Sequence, residues 1–222
     1  MNPSQSFNNA MSYNNAMRWI FRVGLEVETL IPIITDQFSK LKADWFTRIE
    51  ACKSERLFDE QNRVLTQYQL YFELKKGNKK PTILYCYFSL YSPDEEHIEH
   101  YLPTVWIGHA IEDWVAVLEC NYKKNLMDEY RLACDGRLFI EDNYDASNVL
   151  IKNWEYYVPL FSLDSIDAIH KEIINPVKAL LAREPDGDTF ASDTSALRFS
   201  VRDGQYEWEP TTTPSSSTPT NC

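Results

Sequence analysis

The sequence predicts an α+β domain: an antiparallel, meander-like sheet of about five to seven strands, flanked by an N-terminal and a C-terminal amphipathic helix. Three observations lead there. Apolar residues recur at steps of three or four near both ends of the chain. Between those ends they alternate with polar ones, and Gly, Asn, Asp and Pro punctuate the alternating segments.

In the first segment Ile20, Val23, Val27, Ile31, Ile34, Phe38 and Leu41 share one helical face. Pro32 lies inside this run. It withholds an N–H and crowds the preceding turn, so a kinked long helix or a break near Ile31 is expected.

The period then becomes two. From Gln67 to Lys75, Tyr68, Leu70, Phe72 and Leu74 point one way, and Gln67, Gln69, Tyr71, Glu73 and Lys75 the other. Lys76-Gly77-Asn78-Lys79 turns the chain, and Thr82 to Tyr91 returns with Leu84, Cys86, Phe88 and Leu90 on its aliphatic face. Ser92-Pro93-Asp94-Glu95 is a capping box with proline at the first helical position, opening a short helix to Tyr101. Val105 to Ile111 and Trp114 to Cys120 read as two further strands. Tyr130 to Cys134 and Arg137 to Glu141 form a hairpin turned at Asp135-Gly136, and Trp154 to Phe161 is another strand.

A second amphipathic helix opens at Asp164 or Ser165. Its buried stripe is Ile166, Ile169, Ile173, Val177, Leu180 and Leu181, and Pro176 is a source of bending. Leu197, Phe199 and Val201 face Tyr206 and Trp208 across Asp203-Gly204 as a small terminal hairpin. The chain thus divides into a flexible N-terminus (1–12), a single domain (13–209) and a disordered Thr/Ser/Pro tail (210–222), whose composition has too little apolar area to fold.

Composition bounds the function. The 222 residues carry 44% hydrophobic and 14% aromatic side chains, enough for one sizeable core. Five cysteines, an odd number with no CxxC pair, argue for free thiols and a reducing, cytoplasmic setting. No basic n-region precedes an apolar run, and Trp19 to Ile34 is interrupted by Arg22, Glu26 and Glu28, so neither a signal peptide nor a membrane span is expected. Residues 1–92 hold twelve Lys/Arg against nine Asp/Glu, whereas residues 93–222 hold ten against twenty-four. A net charge of −11 disfavours nucleic acid or an anionic membrane as partner.

Three constellations carry candidate chemistry. Only six glycines are present and none builds a phosphate loop; GxSxG and HExxH are absent. Glu73-Leu74-Lys75 places a carboxylate and an ammonium on one strand face, with Asp59 or Glu60 upstream as a second carboxylate. This layout resembles the PD-(D/E)xK nuclease motif. The resemblance implies a metal-dependent nuclease with Asp59, Glu73 and Lys75 as catalytic residues, although the motif's proline-aspartate element has no counterpart here. A solvated charge pair on a polar strand face accounts for the same residues. His97 and His100 lie one helical turn apart with Glu96 beside them, a metal-site candidate that a surface histidine pair explains equally.

The third is a surface. Opposite the aliphatic face of the hairpin stand Tyr71, Tyr85, Tyr87 and Tyr91, with Lys75, Lys76, Lys79 and Lys80 at the turn. Exposed, such a face anchors a protein partner or stacks single-stranded nucleic acid; covered by a second layer, it is core. The reading favoured by the sequence is an acidic interaction protein, an inhibitor, immunity or regulatory factor. It binds another protein, needs no cofactor and leans away from catalysis.

Overall fold

A computed structural model describes residues 3–41, 48–58, 65–75, 81–90, 103–110, 130–141, 153–182, 187–202 and 205–209. Helix α1 spans Pro3–Ser39. Strands β1 (Arg48–Phe58), β2 (Leu65–Lys75), β3 (Thr82–Ser89) and β4 (Thr104–Ala110) follow, then β5 (Tyr130–Ala133), β6 (Leu138–Glu141) and β7 (Trp154–Pro159). A 3-10 turn (Leu160–Ser162) leads into α2 (Ile166–Ile169), a π-helical turn (His170–Ile174) and α3 (Asn175–Ala182). Strands β8 (Arg198–Arg202) and β9 (Gln205–Glu209) complete the order. No helix among the described residues is long and apolar enough to cross a membrane.

The fold is mixed α+β with an antiparallel sheet. Seven strands run in the order β1-β2-β3-β4-β7-β6-β5, and β8 and β9 pair separately. The first four form a meander. The chain next enters the sheet at the far edge and returns through β6 to set β7 against β4, with Trp106 opposite Tyr157.

Alternation places the core as the sequence implied. Tyr68, Leu70, Phe72 and Leu74 of β2 and Leu84, Cys86 and Phe88 of β3, with Leu90 just beyond it, are all buried on one face. They join Val105, Ile107, Tyr156 and Val158 from the central strands, Val23, Val27, Ile34 and Phe38 from α1, and Ile169, Ile173, Val177 and Leu180 from the second helical segment. Phe38 meets Phe72 edge to face at 4.9 Å, a geometry that adds about 0.5–1.5 kcal/mol beyond the area buried. Burial pushes the Cys86 thiol well above its ordinary pKa.

Helix α1 begins at Pro3 and passes through Pro32 as one long helix, the first of the two outcomes expected there, with no break near Ile31. Other expectations change. Strand β1 was not anticipated. Ile166 is 56% exposed, whereas the stripe had placed it in the core. The second helix departs from α geometry in the turn before Pro176. Asn175 N–H bonds the His170 carbonyl, five residues back, and Pro176 has no N–H for the Glu172 carbonyl. The Tyr156 hydroxyl donates there instead, 3.1 Å from Glu172 O and 3.3 Å from Ile173 O. The capped helix after Ser92, the strand at Trp114–Cys120, the turn at Lys76–Lys79 and the 210–222 tail lie outside the described residues.

The terminal hairpin docks on the sheet. Cys134, Asp135 and Gly136 all adopt positive φ in the β5–β6 turn. A Cβ on Gly136 would lie 2.4 Å from the Phe199 carbonyl oxygen, so glycine permits both the turn and the approach of β8. Phe199 N–H donates to Gly136 O at 2.8 Å, and Leu197 N–H donates to Tyr157 O at 2.8 Å.

Candidate functional site

The tyrosine face is an inner layer. Tyr71, Tyr85 and Tyr87 are 3%, 4% and 4% exposed, so these side chains offer no open surface to a protein or to single-stranded nucleic acid. The periodicity was right about direction; the face is nevertheless closed. Tyr87 packs on Trp106 at 4.9 Å, Trp106 on Tyr157 at 5.1 Å, and Phe199 of the terminal hairpin on Tyr157 at 5.4 Å. Tyr91 lies outside the described residues.

At the centre of this layer sits a carboxylate that the sequence reading missed. Glu155 is 8% exposed and accepts from Tyr85 at 3.0 Å and from Tyr157 at 2.7 Å. Desolvation raises its pKa above the ordinary carboxylate value, and the two tyrosine hydroxyls pull it partly back. The signal was available in principle, because Glu155 alternates in phase with Tyr157 and opposite to the apolar residues of β7. A second buried carboxylate, Glu172, accepts from Thr194 Oγ1 at 2.6 Å and from Ser195 N–H at 3.0 Å, and Lys171 Nζ lies 3.1 Å away. Both carboxylates are spent on internal hydrogen bonds.

Glu73 is half-buried and Lys75 exposed on the same face of β2, with Glu73 opposite Glu50 on β1 and Ile83 on β3. Asp59, their proposed partner, lies outside the described residues, as do His97, His100 and Glu96. Among the described residues, no three His, Cys, Asp or Glu side chains group to hold a metal ion.

Among the described residues, one concave feature is a groove of about 490 Å³ between α1 and the segment leading into α2. Its α1 wall is Glu26, Thr29, Leu30 and Ile33, spaced as one helical stripe beside the core stripe. Thr29 turns its hydroxyl onto the Leu25 carbonyl at 2.9 Å, back along its own helix. The facing wall comes from the 3-10 turn. Leu160 and Leu163 are buried, while Phe161 between them is 69% exposed. Ser165 caps α2 by accepting from Ala168 N–H at 3.1 Å, and Ile166, the first residue of α2, also lines the groove. Glu26 and Asp164 are the charged lining residues, and both are acidic.

Compared with protein-family models, with curated proteins and with solved structures, the chain finds no match.

Proposed function

We infer that this chain is an interaction protein that binds another macromolecule through the groove between α1 and the 3-10 turn. In this reading the N-terminal and C-terminal helices flank one sheet face, and the groove is the open seam between them. The observation that carries it is the pair Phe161 and Ile166, 69% and 56% exposed and both lining a largely apolar concavity. Large apolar side chains clustered at a concave site favour a macromolecular partner, since burying each is worth about 1.5–3 kcal/mol. The free thiols of Cys86 and Cys134 suit a reducing compartment, and the cytosol belongs to the same reading.

The test uses Phe161→Ser/Ile166→Ser, with Val201→Ser as a control at an exposed apolar position on β8. Proteins captured by the intact chain and by the control should be lost from the double variant, and the partner should slow hydrogen exchange over 160–169. Identical capture by all three would remove the groove as the binding site.

A further inference from the structure

The geometry points to a basic amphipathic helix of another protein as the groove's occupant. This rests on the groove being the binding site and names the chemistry that would fill it. The α1 wall from Glu26 to Ile33 covers about 10 Å of axis at 1.5 Å per residue, two turns of helix. A partner helix laid along it would present apolar side chains at i, i+3 or i+4, and i+7, the spacing that helix-in-groove recognition uses. The lining suits them, because Leu30, Ile33, Leu160, Leu163 and Ile169 all contribute to it and no basic side chain does.

Charge selects the partner. The acidic lining residues are Glu26 on one wall and Asp164 on the other, so a helix between them has an acidic side chain on each flank. Arg22 pairs with Glu26 at 3.2 Å, but both side chains are well exposed and such a pair is weak and easily exchanged. Lysine or arginine flanking the partner's apolar stripe therefore finds a counter-charge on both sides. A second copy of this chain, with its own net charge of −11, brings like charge to the same rim.

The probe is a fluorescein-labelled helical peptide of about 15 residues with Leu at i, i+3, i+4 and i+7 and Lys elsewhere. A Leu/Glu peptide of the same pattern and a scrambled Leu/Lys peptide accompany it. Anisotropy against the full chain should show the patterned Leu/Lys peptide binding at least tenfold tighter than either control, and weakening as salt rises. Glu26→Lys/Asp164→Lys should lower its affinity at least fivefold, and Phe161→Ser/Ile166→Ser at least tenfold. Val201→Ser should leave it unchanged. All substituted side chains are exposed, and unchanged melting of each variant confirms that the groove is intact. Equal binding of the Leu/Glu peptide, or no effect of charge reversal, overturns the basic partner while a loss at Phe161 and Ile166 still upholds the groove. Indifference to Phe161→Ser/Ile166→Ser overturns both.

Discussion

The Tyr85 hydroxyl lies 3.0 Å from Glu155 Oε2, and the residue between them in the sheet is Gly108. Tyr85 on β3, Gly108 on β4 and Glu155 on β7 stand in one transverse row. A Cβ on Gly108 would fall 2.2 Å from the Tyr85 ring, so the missing side chain is the channel through which the tyrosine reaches the carboxylate.

The first prediction concerns pH. Burial raises the Glu155 pKa, so the folded protein holds that proton more tightly than the unfolded chain does. Its contribution is fully present below the unfolded value and is lost as pH rises through the folded one. Glu155→Gln should remove that loss. The variant should gain stability relative to the parent as pH rises, measured by denaturant midpoints across pH. Parallel pH profiles for the two proteins would contradict this account.

Gly108→Ala should destabilise by about 1–3 kcal/mol, because the new methyl drives Tyr85 off Glu155 inside a packed layer. The clash disappears with the ring. Tyr85→Ala combined with Gly108→Ala should therefore cost clearly less than the two single changes added, a coupling that a double-mutant cycle reads directly.

Both sheet faces should respond alike to truncation. Phe72→Ala and Phe88→Ala on the aliphatic face should each cost about 3–5 kcal/mol, and Tyr87→Ala on the opposite face should fall in the same range. Urea midpoints should drop with little change in slope. A cost for Tyr87→Ala below about 1 kcal/mol would mean that the second layer opens in solution.

Glu172→Ala should leave Thr194 Oγ1 and Ser195 N–H without their acceptor, costing about 1–3 kcal/mol. The effect is local first. Amide exchange at Ser195 should accelerate before exchange at Val105 or Ile107 in the sheet centre, and equal acceleration everywhere would show that Glu172 instead sustains the whole core.

Much of this architecture was legible because period and burial coincide. Leu70, Phe72, Leu84 and Phe88 alternate strictly, and burial follows. Period alone was silent about the other side: Tyr71, Tyr85 and Tyr87 alternate equally well whether their face meets water or a second layer. Strand β1 escaped notice for a different reason. Ala51 and Lys53 oppose consecutive residues of β2, so a bulge at Cys52 resets the alternation in mid-strand. Ile166 fits the helical stripe of its own segment, but it stands in the first turn, where the neighbouring element is a groove. The groove itself was invisible, since its walls come from segments more than a hundred residues apart.

Pro176 leaves Glu172 O without its helical donor, and Tyr156 takes that place. The union of helix and sheet therefore has a phase as well as an affinity. Greasy contacts alone tolerate a helix that slides or rolls by a fraction of a turn; a hydroxyl set between the Glu172 and Ile173 carbonyls does not. Restoring a donor with Pro176→Ala would let the helix close its own ladder and compete for the bond that indexes it. The proline thus works as a key, converting a general attraction between two apolar surfaces into a single angular setting.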